Sequence, residues 1–326
     1  MSTAPEAASR RVAVAVRLRP RIAEDGPAEP VARTSANTVI LGERGTFGPF
    51  DHCFAASASN AAVYDSCAAH VVAGVVAGET NGTVLTYGQT GSGKTHTVGA
   101  GSGDGIVPRA LSQIFEAVAA DRGQHTFAVY LSCMQLYLEN VEDLLNPNGT
   151  GSIKIREDAS DPWGLVLVDG LVRIPLTSLE QALQLTRAAD AQRAVAATQM
   201  NWASSRSHAC YSLFVERTPV AAVAAAGTPQ AAAASTAAAL ALIASSNASQ
   251  VTTRTKLHIL DLAGSERVKK TGVLAGTSMA DEARATNLSL LALGKVIHSL
   301  AEGKEHVPFR EVKLTVRTLR SSFTPL

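Results

Sequence analysis

The segment Tyr87 to Thr97, YGQTGSGKTHT, has residue types and a spacing that could do chemistry. Its three glycines have no Cβ, so the backbone can curl and direct successive N–H groups toward one point, which suits an anion. Gly88 and Gly93, separated by four residues, are followed by Lys94 and Thr95, the GxxxxGK(S/T) pattern of phosphate-binding loops. The segment therefore predicts a nucleotide-binding loop.

The residues of this loop have distinct expected roles. The amides hold the α- and β-phosphates, Lys94 reaches the β- and γ-phosphate oxygens, and the Thr95 hydroxyl binds Mg²⁺. A glycine-rich hairpin is the alternative, but the strand-like run before the loop favours the phosphate site. The residues predicted here to bind the cofactor are Gly88, Gln89, Thr90, Gly91, Ser92, Gly93, Lys94 and Thr95.

A second motif, HILDLAGSE from His258 to Glu266, ends an apolar run with an aspartate. Beside a phosphate-binding loop, Asp261 in this position holds Mg²⁺ directly or through water. The amide of Gly264 can approach a γ-phosphate closely, because glycine has no side chain. Alternatively, Asp261 caps the turn that follows it. The neighbouring phosphate-binding loop favours the metal role.

A third motif, NWASSRSH from Asn201 to His208, is too polar for a core segment. Ser204 and Ser205 can offer hydroxyls to Mg²⁺, phosphate and an attacking water, whereas Arg206 can pair with a carboxylate such as Glu266. The alternative is a serine-rich capping turn, and composition alone does not separate the two. The predicted Mg²⁺ ligands are Thr95, Ser205 and Asp261.

The elements that must position these motifs alternate between strand-like and helix-like patterns. Short apolar runs predict buried parallel strands, whose carboxyl ends lie together: Val12 to Val16, Thr83 to Thr86, and Leu257 to Leu260. Longer runs have the apolar spacing of helices: Ser112 to Ala120, Leu179 to Ala189, and Glu282 to Leu300. We predict an α/β fold with a central, mostly parallel twisted sheet flanked by helices on both faces.

Composition permits a real core and gives no sign of export. Apolar residues make up 46% of the chain and charged residues 17%. The N-terminus has no signal-peptide pattern, which predicts a cytosolic protein. The alanine-rich tract Val220 to Ile243 is interrupted by polar and turn residues, so we reject it as a membrane span and expect a low-complexity loop. The scattered cysteines read as reduced thiols: Cys53, Cys67, Cys133 and Cys210.

Charge is unevenly distributed along the chain, although the net charge is only +1. The segment Arg267 to Arg320 has ten Lys and Arg against five Asp and Glu, a local charge of +5. Such a surface could meet nucleic acid or an acidic protein, and a solvated helix face is the alternative. The sequence has no RNP-type or zinc-finger pattern to support nucleic acid.

Taken in order, these motifs identify a family: the sequence resembles the kinesin motor domain. The matching elements are VRLRP (Val16 to Pro20), GQTGSGKTHT (Gly88 to Thr97), NxxSSRSH (Asn201 to His208) and DLAGSER (Asp261 to Arg267). Weaker matches are LYLENVEDLL (Leu136 to Leu145), NLSLLALGKVI (Asn287 to Ile297) and HVPFREVKLT (His306 to Thr315). The resemblance covers residues 11–315 and implies a P-loop NTPase fold.

The resemblance also assigns roles. Ser204 and Ser205 fall in the motif called switch I, and Asp261 to Glu266 form switch II; Arg206 and Glu266 would form a gate around the hydrolytic water. Asn287 would start the helix that relays closure of this gate to the track. The residues that would frame adenine, and so favour ATP, are Arg17, Arg19, Pro20 and His96. The residues that would meet acidic tubulin are Lys269, Lys270, Lys304, His306, Arg310 and Lys313.

The resemblance therefore implies an ATP-hydrolysing, microtubule-binding motor head in the cytoplasm, on the cytoskeleton, with no nucleic-acid or membrane partner. Two alternatives remain open at this point. A P-loop GTPase is one, since Asp261 to Gly264 fits DxxG, although an NKxD motif is absent. A catalytically weak or dead microtubule-binding fragment is the other.

The expected domain organisation has three parts. Residues 1–10 form a flexible N-terminus, and residues 11–315 form the motor domain with a low-complexity insertion at 219–250. Residues 316–326 depart from the family pattern, where a last strand, a last helix and a neck linker are expected. We expect the loss of that strand to lower stability and ATPase activity. We see no coiled-coil heptads, so dimerisation is not encoded in this sequence.

Replacing the predicted gate carboxylate should separate binding from turnover. We expect Glu266→Ala to keep the affinity for ATP and to lose hydrolysis, because the change removes water positioning and leaves the phosphate loop intact. ATP binding and single-turnover hydrolysis, measured on the same preparation, check this prediction. Equal losses in both would instead indicate misfolding.

Overall fold

The computed structural model describes residues 12–22, 32–35, 37–149, 153–157, 163, 166–199, 206–220, 251–265, 278–304 and 306–315. The strands are β1 (Ala15–Arg17), β2 (Ala32–Ser35), β3 (Thr38–Leu41), β4 (Thr46–Phe47), β5 (His52–Phe54), β6 (Gly82–Thr86), β7 (His125–Tyr137), β8 (Asn140–Asp143), β9 (Lys154–Glu157), β10 (Val166–Asp169), β11 (Ile174–Leu176), β12 (His208–Pro219) and β13 (Thr253–Asp261). The α-helices are α1 (Asn60–Cys67), α2 (Ala69–Val76), α3 (Lys94–Val98), α4 (Ile106–Ala120), α5 (Leu179–Gln199), α6 (Ser278–Ala301) and α7 (Lys313–Thr315).

The central sheet has the strand order β11-β7-β12-β13-β6, and β8 pairs with β7. Strand β6 runs parallel to β13, with Gly82 opposite Leu257 and Thr86 opposite Asp261. This register brings the end of the strand before the glycine-rich loop level with the aspartate of the second motif. The two turns therefore leave the sheet side by side, as the sequence predicts.

The α/β class is confirmed, but the prediction of a mostly parallel sheet is wrong. Strands β11, β12 and β8 each run antiparallel to β7, and β12 also runs antiparallel to β13. The sheet is mixed because β12, at its centre, runs antiparallel to both of its neighbours: β7, β13 and β6 run one way, and β12, β11 and β8 run the other. Neither β7 nor β12 is followed by a phosphate-binding motif, so the sequence does not indicate in which direction either strand runs in the sheet. The β7–β8 hairpin turns at Leu138 and Glu139, both with positive φ.

Strand β1 differs from its prediction in both extent and partner. The predicted strand, Val12 to Val16, is observed as Ala15–Arg17, and within the described residues it pairs in parallel with β5 in a separate two-stranded sheet. The chain before it is tied to Asp51, whose carboxylate accepts from the Val14 amide at 2.8 Å. The apolar composition of this run predicts a strand, but it does not indicate whether β1 pairs with β5 or joins the central sheet.

Helices cover both faces of the sheet, as predicted. Buried residues of α2, α4 and α5 form one apolar cluster with one face, and buried residues of α6 and α7 form a second cluster with the other. In β12 the side chains alternate: Ala209, Tyr211 and Leu213 enter the first cluster and Cys210 enters the second. The sheet is thus buried between two layers.

The predicted helices exist, with longer bounds than the apolar patterns suggested. Helix α4 begins six residues before the predicted Ser112, at Ile106, and buries Ala110, Leu111 and Ile114 on one face. Helix α5 continues ten residues past the predicted Ala189, to Gln199. Polar residues interrupt the apolar pattern in the α5 extension, whereas the α4 extension contains Pro108, which is tolerated only because it lies in the first turn of the helix.

Other predictions are answered only in part. The four cysteines are free, and Cys133 and Cys210 are buried. In the described part of the chain, no helix combines the length and the apolar character that crossing a membrane requires. Most of the predicted insertion (221–250) and the segment 316–326 lie outside the described residues, so the domain boundaries stay predictions.

The central position of β12 gives a direct test of the two-layer core. We expect Leu213→Ala to lower the free energy of unfolding by about 2–5 kcal/mol, because this leucine is 1% exposed and its loss leaves a cavity. As a control, Val251→Ala changes a residue that is 74% exposed and should shift stability by less than about 0.5 kcal/mol. Chemical denaturation of both variants measures the difference. Equal shifts would contradict this placement of the core.

Candidate nucleotide-binding site

The glycine-rich loop joins β6 to α3 in a conformation that its glycines permit. Gly88, Gly91 and Gly93 have φ values of 155°, 76° and 92°. A Cβ on Gly88 would lie 2.7 Å from the Ser92 hydroxyl oxygen, so a side chain there cannot be accommodated without a shift. Gly93 is left-handed and directly precedes α3, whose first residue is Lys94. The loop therefore has the tight turn that a phosphate cradle requires.

Lys94 folds back over this loop. Its Nζ donates to the carbonyl oxygens of Gly88 at 2.9 Å and Gln89 at 3.0 Å. A bound phosphate would offer charged oxygens to the same ammonium group, and charge-assisted hydrogen bonds are stronger than those to neutral carbonyls. The ammonium of Lys94 thus lies over the glycine-rich loop, and its contact with the β- and γ-phosphates stays a prediction.

Thr95 and Asp261 meet directly. The Thr95 hydroxyl donates to Asp261 Oδ2 at 2.7 Å, across the junction of α3 and the end of β13. The other carboxylate oxygen, Oδ1, is buried and has no hydrogen-bond partner among the described residues. A buried acceptor of this kind suits a further donor, such as a metal-bound water.

This donor set fits Mg²⁺. Magnesium usually binds through one or two carboxylates together with substrate phosphates and waters, rather than in a cage of protein ligands. The described residues contain no cluster of three His, Cys, Asp or Glu that could form such a cage. Thr95 and Asp261 can therefore hold the ion together with nucleotide phosphates, whereas Ser205, the third predicted ligand, lies outside the described residues.

Arg193 of α5 belongs to the site, although it lies in none of the sequence motifs. Its guanidinium donates to Asp261 Oδ2 at 2.5 Å and to the Ser207 carbonyl at 3.0 Å, and the two charged side chains are 4% and 2% exposed. The sequence contains only the spacing: Arg193 follows Ala189 by four residues and so shares its face of α5, and the structure shows that both residues are buried. A charged residue on a buried stripe needs a charged partner.

The loop after Asp261 also touches the glycine-rich loop. The Ser265 amide donates to the Gly88 carbonyl at 3.2 Å, and Gly264 beside it is buried. Gly264 therefore lies close to the phosphate loop. Its predicted contact with a γ-phosphate, like every other predicted role in the site, stays a prediction.

The residues predicted to frame adenine have different surroundings. The Arg17 guanidinium donates to Asn60 Oδ1 at 2.6 Å, Thr97 Oγ1 at 2.9 Å and the Ala58 carbonyl at 2.9 Å, so it braces α1 and α3. The Arg19 side chain passes 3.9 Å from the position of a Cβ built on Gly93. Pro20 and His96 are exposed.

The predicted gate is only partly described. Arg206 is half-buried, and its carbonyl accepts from the Thr286 hydroxyl of α6 at 3.5 Å. Ser204 and Glu266, with which it was predicted to act, lie outside the described residues. The pairing of Arg206 with Glu266 therefore stays a prediction.

His208 is a second residue of the site to which the sequence motifs assign no role. It is buried, its Nδ1 accepts from the Ala263 amide at 3.1 Å, and its Nε2 lies 2.9 Å from the Ser289 hydroxyl oxygen of α6. Burial is the main cause that lowers the pKa of His208 to about 4, followed by the positive charge of Arg193. The imidazole is therefore neutral near pH 7.

A family model of the kinesin motor domain matches residues 27–324 of the chain. The chain belongs to the kinesin motor domain family. Kinesin-like protein KIN-UC of Arabidopsis thaliana is 40% identical over 84% of this chain, and Kinesin-related protein 5 of Dictyostelium discoideum is 37% identical over 74% of it. These matches cover 24% and 22% of the two relatives, so the chain spans about a quarter of their length.

A solved structure agrees with this membership. It is described as that of a fast kinesin, with implications for ATPase mechanism and interactions with microtubules. The two chains are 31% identical, with a TM-score of 0.76 over 94% of this chain and 80% of the other. At this level of similarity the kinesin fold is shown.

Four of the six residues predicted from kinesins to meet tubulin lie within residues 304–313, between the end of α6 and the start of α7. Arg310 pairs with Glu157 at 2.8 Å, and Lys304 pairs with Glu302 at 2.6 Å. The ammonium of Lys313 donates to the Glu139 carbonyl. His306 is exposed, whereas Lys269 and Lys270 lie outside the described residues. The contact of all six residues with tubulin stays a prediction.

Removing the loop lysine should weaken nucleotide binding. We expect Lys94→Ala to lower the affinity for Mg·ATP by about ten- to a hundredfold, because the γ-phosphate loses a charge-assisted contact. Titration with a fluorescent ATP analogue checks this. Lys154→Ala, which removes an exposed lysine of β9, serves as the control and should bind as the parent does. Unchanged binding by Lys94→Ala would refute the assignment.

The pKa of His208 predicts a loss of stability in mild acid. Since the folded-state pKa of about 4 lies below the ordinary value near 6.5, folding favours the neutral imidazole. The stabilisation is present above about pH 6.5 and is lost as the pH falls toward 4, with about 2 kcal/mol lost between pH 7 and pH 5. The difference in unfolding free energy between the parent and His208→Asn should shrink by this amount. A difference independent of pH would contradict a buried neutral His208.

Proposed function

We propose that this chain is the ATP-hydrolysing, microtubule-binding head of a kinesin motor, which couples Mg·ATP hydrolysis to microtubule binding and movement. The proposal rests on one observation: at the end of the phosphate loop, the Thr95 hydroxyl donates a hydrogen bond of 2.7 Å to Asp261 Oδ2. Because the chain belongs to the kinesin family, we favour ATP as the nucleotide of this site and microtubules as the partner of the domain.

The side chains of the site divide the work of phosphoryl transfer. The loop amides and Lys94 bind the phosphates, and Thr95 and Asp261 hold Mg²⁺, which when bound neutralises charge on the phosphate oxygens. Arg193 keeps the Asp261 carboxylate oriented toward Thr95. The Gly264 amide donates to the γ-phosphate.

Water positioning is assigned to the segment that precedes β12 and the segment that follows β13. Ser204 and Ser205 orient the hydrolytic water with their hydroxyls. Arg206 and Glu266 close around that water, which excludes bulk solvent and fixes the angle of attack. On microtubules, closure of this gate is linked to attachment of the head.

The microtubule-binding surface is assigned to the basic C-terminal third. The segment Arg267 to Arg320 has ten Lys and Arg against five Asp and Glu, which suits an acidic protein lattice. Helix α6 lies within this segment, and two of its leucines, Leu288 and Leu291, are 59% and 58% exposed. They add apolar contact area to the basic surface. We place the protein in the cytoplasm, on the microtubule cytoskeleton.

The test is ATP turnover by the purified chain with and without microtubules, with GTP as a competitor. The proposal predicts stimulated turnover of ATP and weak competition by GTP. Efficient displacement of ATP by GTP would favour a P-loop GTPase. Microtubule binding without turnover would instead identify a catalytically dead fragment.

Attachment to microtubules should depend on charge. We expect Lys269→Glu/Lys270→Glu to weaken co-sedimentation, while leaving ATP affinity unchanged, and added salt to weaken binding of the parent. The matched control is Arg122→Glu/Arg187→Glu, which reverses two exposed charges on the α4 and α5 side of the sheet. Equal effects of the two double variants, or salt-independent pelleting, would contradict the assigned surface.

A further inference from the structure

His208 is a contact point between three segments with separate roles in the proposed function. It is the last residue of the serine-rich motif and the first residue of β12. Its ring accepts a hydrogen bond from Ala263 in the loop after Asp261, and it contacts Ser289 of α6 on the other side. No predicted catalytic or binding role used this residue.

The donor and the acceptor of each hydrogen bond made by the His208 ring can be assigned. A backbone amide only donates, so Nδ1 must accept from Ala263, and the proton of the neutral ring is on Nε2. Nε2–H therefore donates to the Ser289 hydroxyl at 2.9 Å, and that hydroxyl donates to the Thr286 carbonyl at 2.7 Å. Reversing any one of these bonds leaves another buried group without its partner.

The loop end of this chain of bonds reaches the nucleotide site. Ala263 is followed by Gly264, which is assigned to the γ-phosphate, and by Ser265, whose amide donates to the Gly88 carbonyl of the phosphate loop. A displacement of this loop therefore moves the donor that holds His208. The His208 ring is buried and cannot replace that donor with water.

The helix end reaches the surface assigned to the microtubule. Ser289 is buried on the inner side of α6, while its neighbours Leu288 and Leu291 are exposed on the outer side. A second, longer contact joins the Thr286 hydroxyl to the Arg206 carbonyl at 3.5 Å, on the same inner side. The inner side of α6 thus contacts the nucleotide loops, whereas Leu288 and Leu291 on its outer side are exposed.

We propose that His208 is a positioning residue that transmits displacement of the loop 262–265 to α6, through hydrogen bonds to Ala263 and Ser289. The role of the transmitted displacement rests on the proposed function, since α6 is assigned to the microtubule only there. The linkage itself is a property of three buried groups in the described structure.

Two variants cut the linkage from opposite sides. His208→Asn keeps an acceptor near the position of Nδ1, so Ala263 retains its partner, but the shorter side chain no longer reaches Ser289. Ser289→Ala keeps the imidazole and removes its acceptor. Ser299→Ala is the matched control, because Ser299 is another buried serine of α6, ten residues further along the helix.

Turnover measurements give the first readout. We expect Ser289→Ala to bind Mg·ATP and hydrolyse it without microtubules as the parent does, and to lose about fivefold or more of the microtubule stimulation. His208→Asn should lose a similar factor, and the double variant should be no worse than either single one, because each change breaks the same link. Parental stimulation in both single variants would overturn the proposal, as would additive losses.

Hydrogen exchange gives a second readout that needs no microtubules. In the parent, exchange of Mg·ADP for a non-hydrolysable Mg·ATP analogue should change amide exchange within residues 284–293, and in both single variants that change should disappear while the phosphate loop still responds. Ser299→Ala should behave as the parent does. A nucleotide response of α6 that persists in both variants, or is absent from the parent, overturns the proposal. A parent that shows the response but no microtubule stimulation would sink the proposed function and leave the linkage standing.

Discussion

The parallel pairing of β6 with β13 is the constraint on which the rest of the site depends. It sets Thr86 opposite Asp261, so the glycine-rich loop and the loop after the aspartate leave the sheet at the same level. The Thr86 hydroxyl donates to the Leu260 carbonyl at 3.2 Å and adds a side-chain contact to this register. A slip of one residue would turn Asp261 to the other face of the sheet, away from Thr95. Both strands are held in that register by the apolar cluster formed with α2, α4 and α5.

The buried charge of Asp261 is the second constraint, and it explains why so many elements meet there. A carboxylate that is 2% exposed is costly unless it is paired and hydrogen-bonded. Arg193 supplies the counter-charge from α5, and Thr95 supplies a hydroxyl from α3. Because a buried ion pair gives little net stability, its value here is geometric: it fixes the carboxylate relative to both helices. The same guanidinium holds the Ser207 carbonyl, and thereby ties the start of β12 to the site.

The two faces of the sheet are covered by different sets of helices. Helices of the first cluster support the strands that carry the phosphate loop, while α6 covers the second face and presents its outer side to solvent. Several cations near α6 and α7 are paired with carboxylates of the chain itself, as Lys295 of α6 is with Glu311 at 2.8 Å. These pairs lie at the surface: the side chains of Lys295, Lys304 and Arg310 are 50%, 51% and 73% exposed, so each pair contributes little to stability.

By itself, the sequence determined the features that are local in the chain. The glycine spacing before Lys94 and the aspartate that closes an apolar run are short patterns, because each depends on backbone geometry within a few residues. The helices on both faces followed from periodicity. Only the tertiary structure decided the mixed direction of the sheet and the pairing of β1 with β5, since apolar strands look alike whichever neighbour they join. It also decided the partners of the buried polar groups: Arg193 meets Asp261 across 68 residues, and His208 meets Ser289 across 81. No local pattern encodes such distances, because burial of a charge or an imidazole requires a partner only after the core has formed around it.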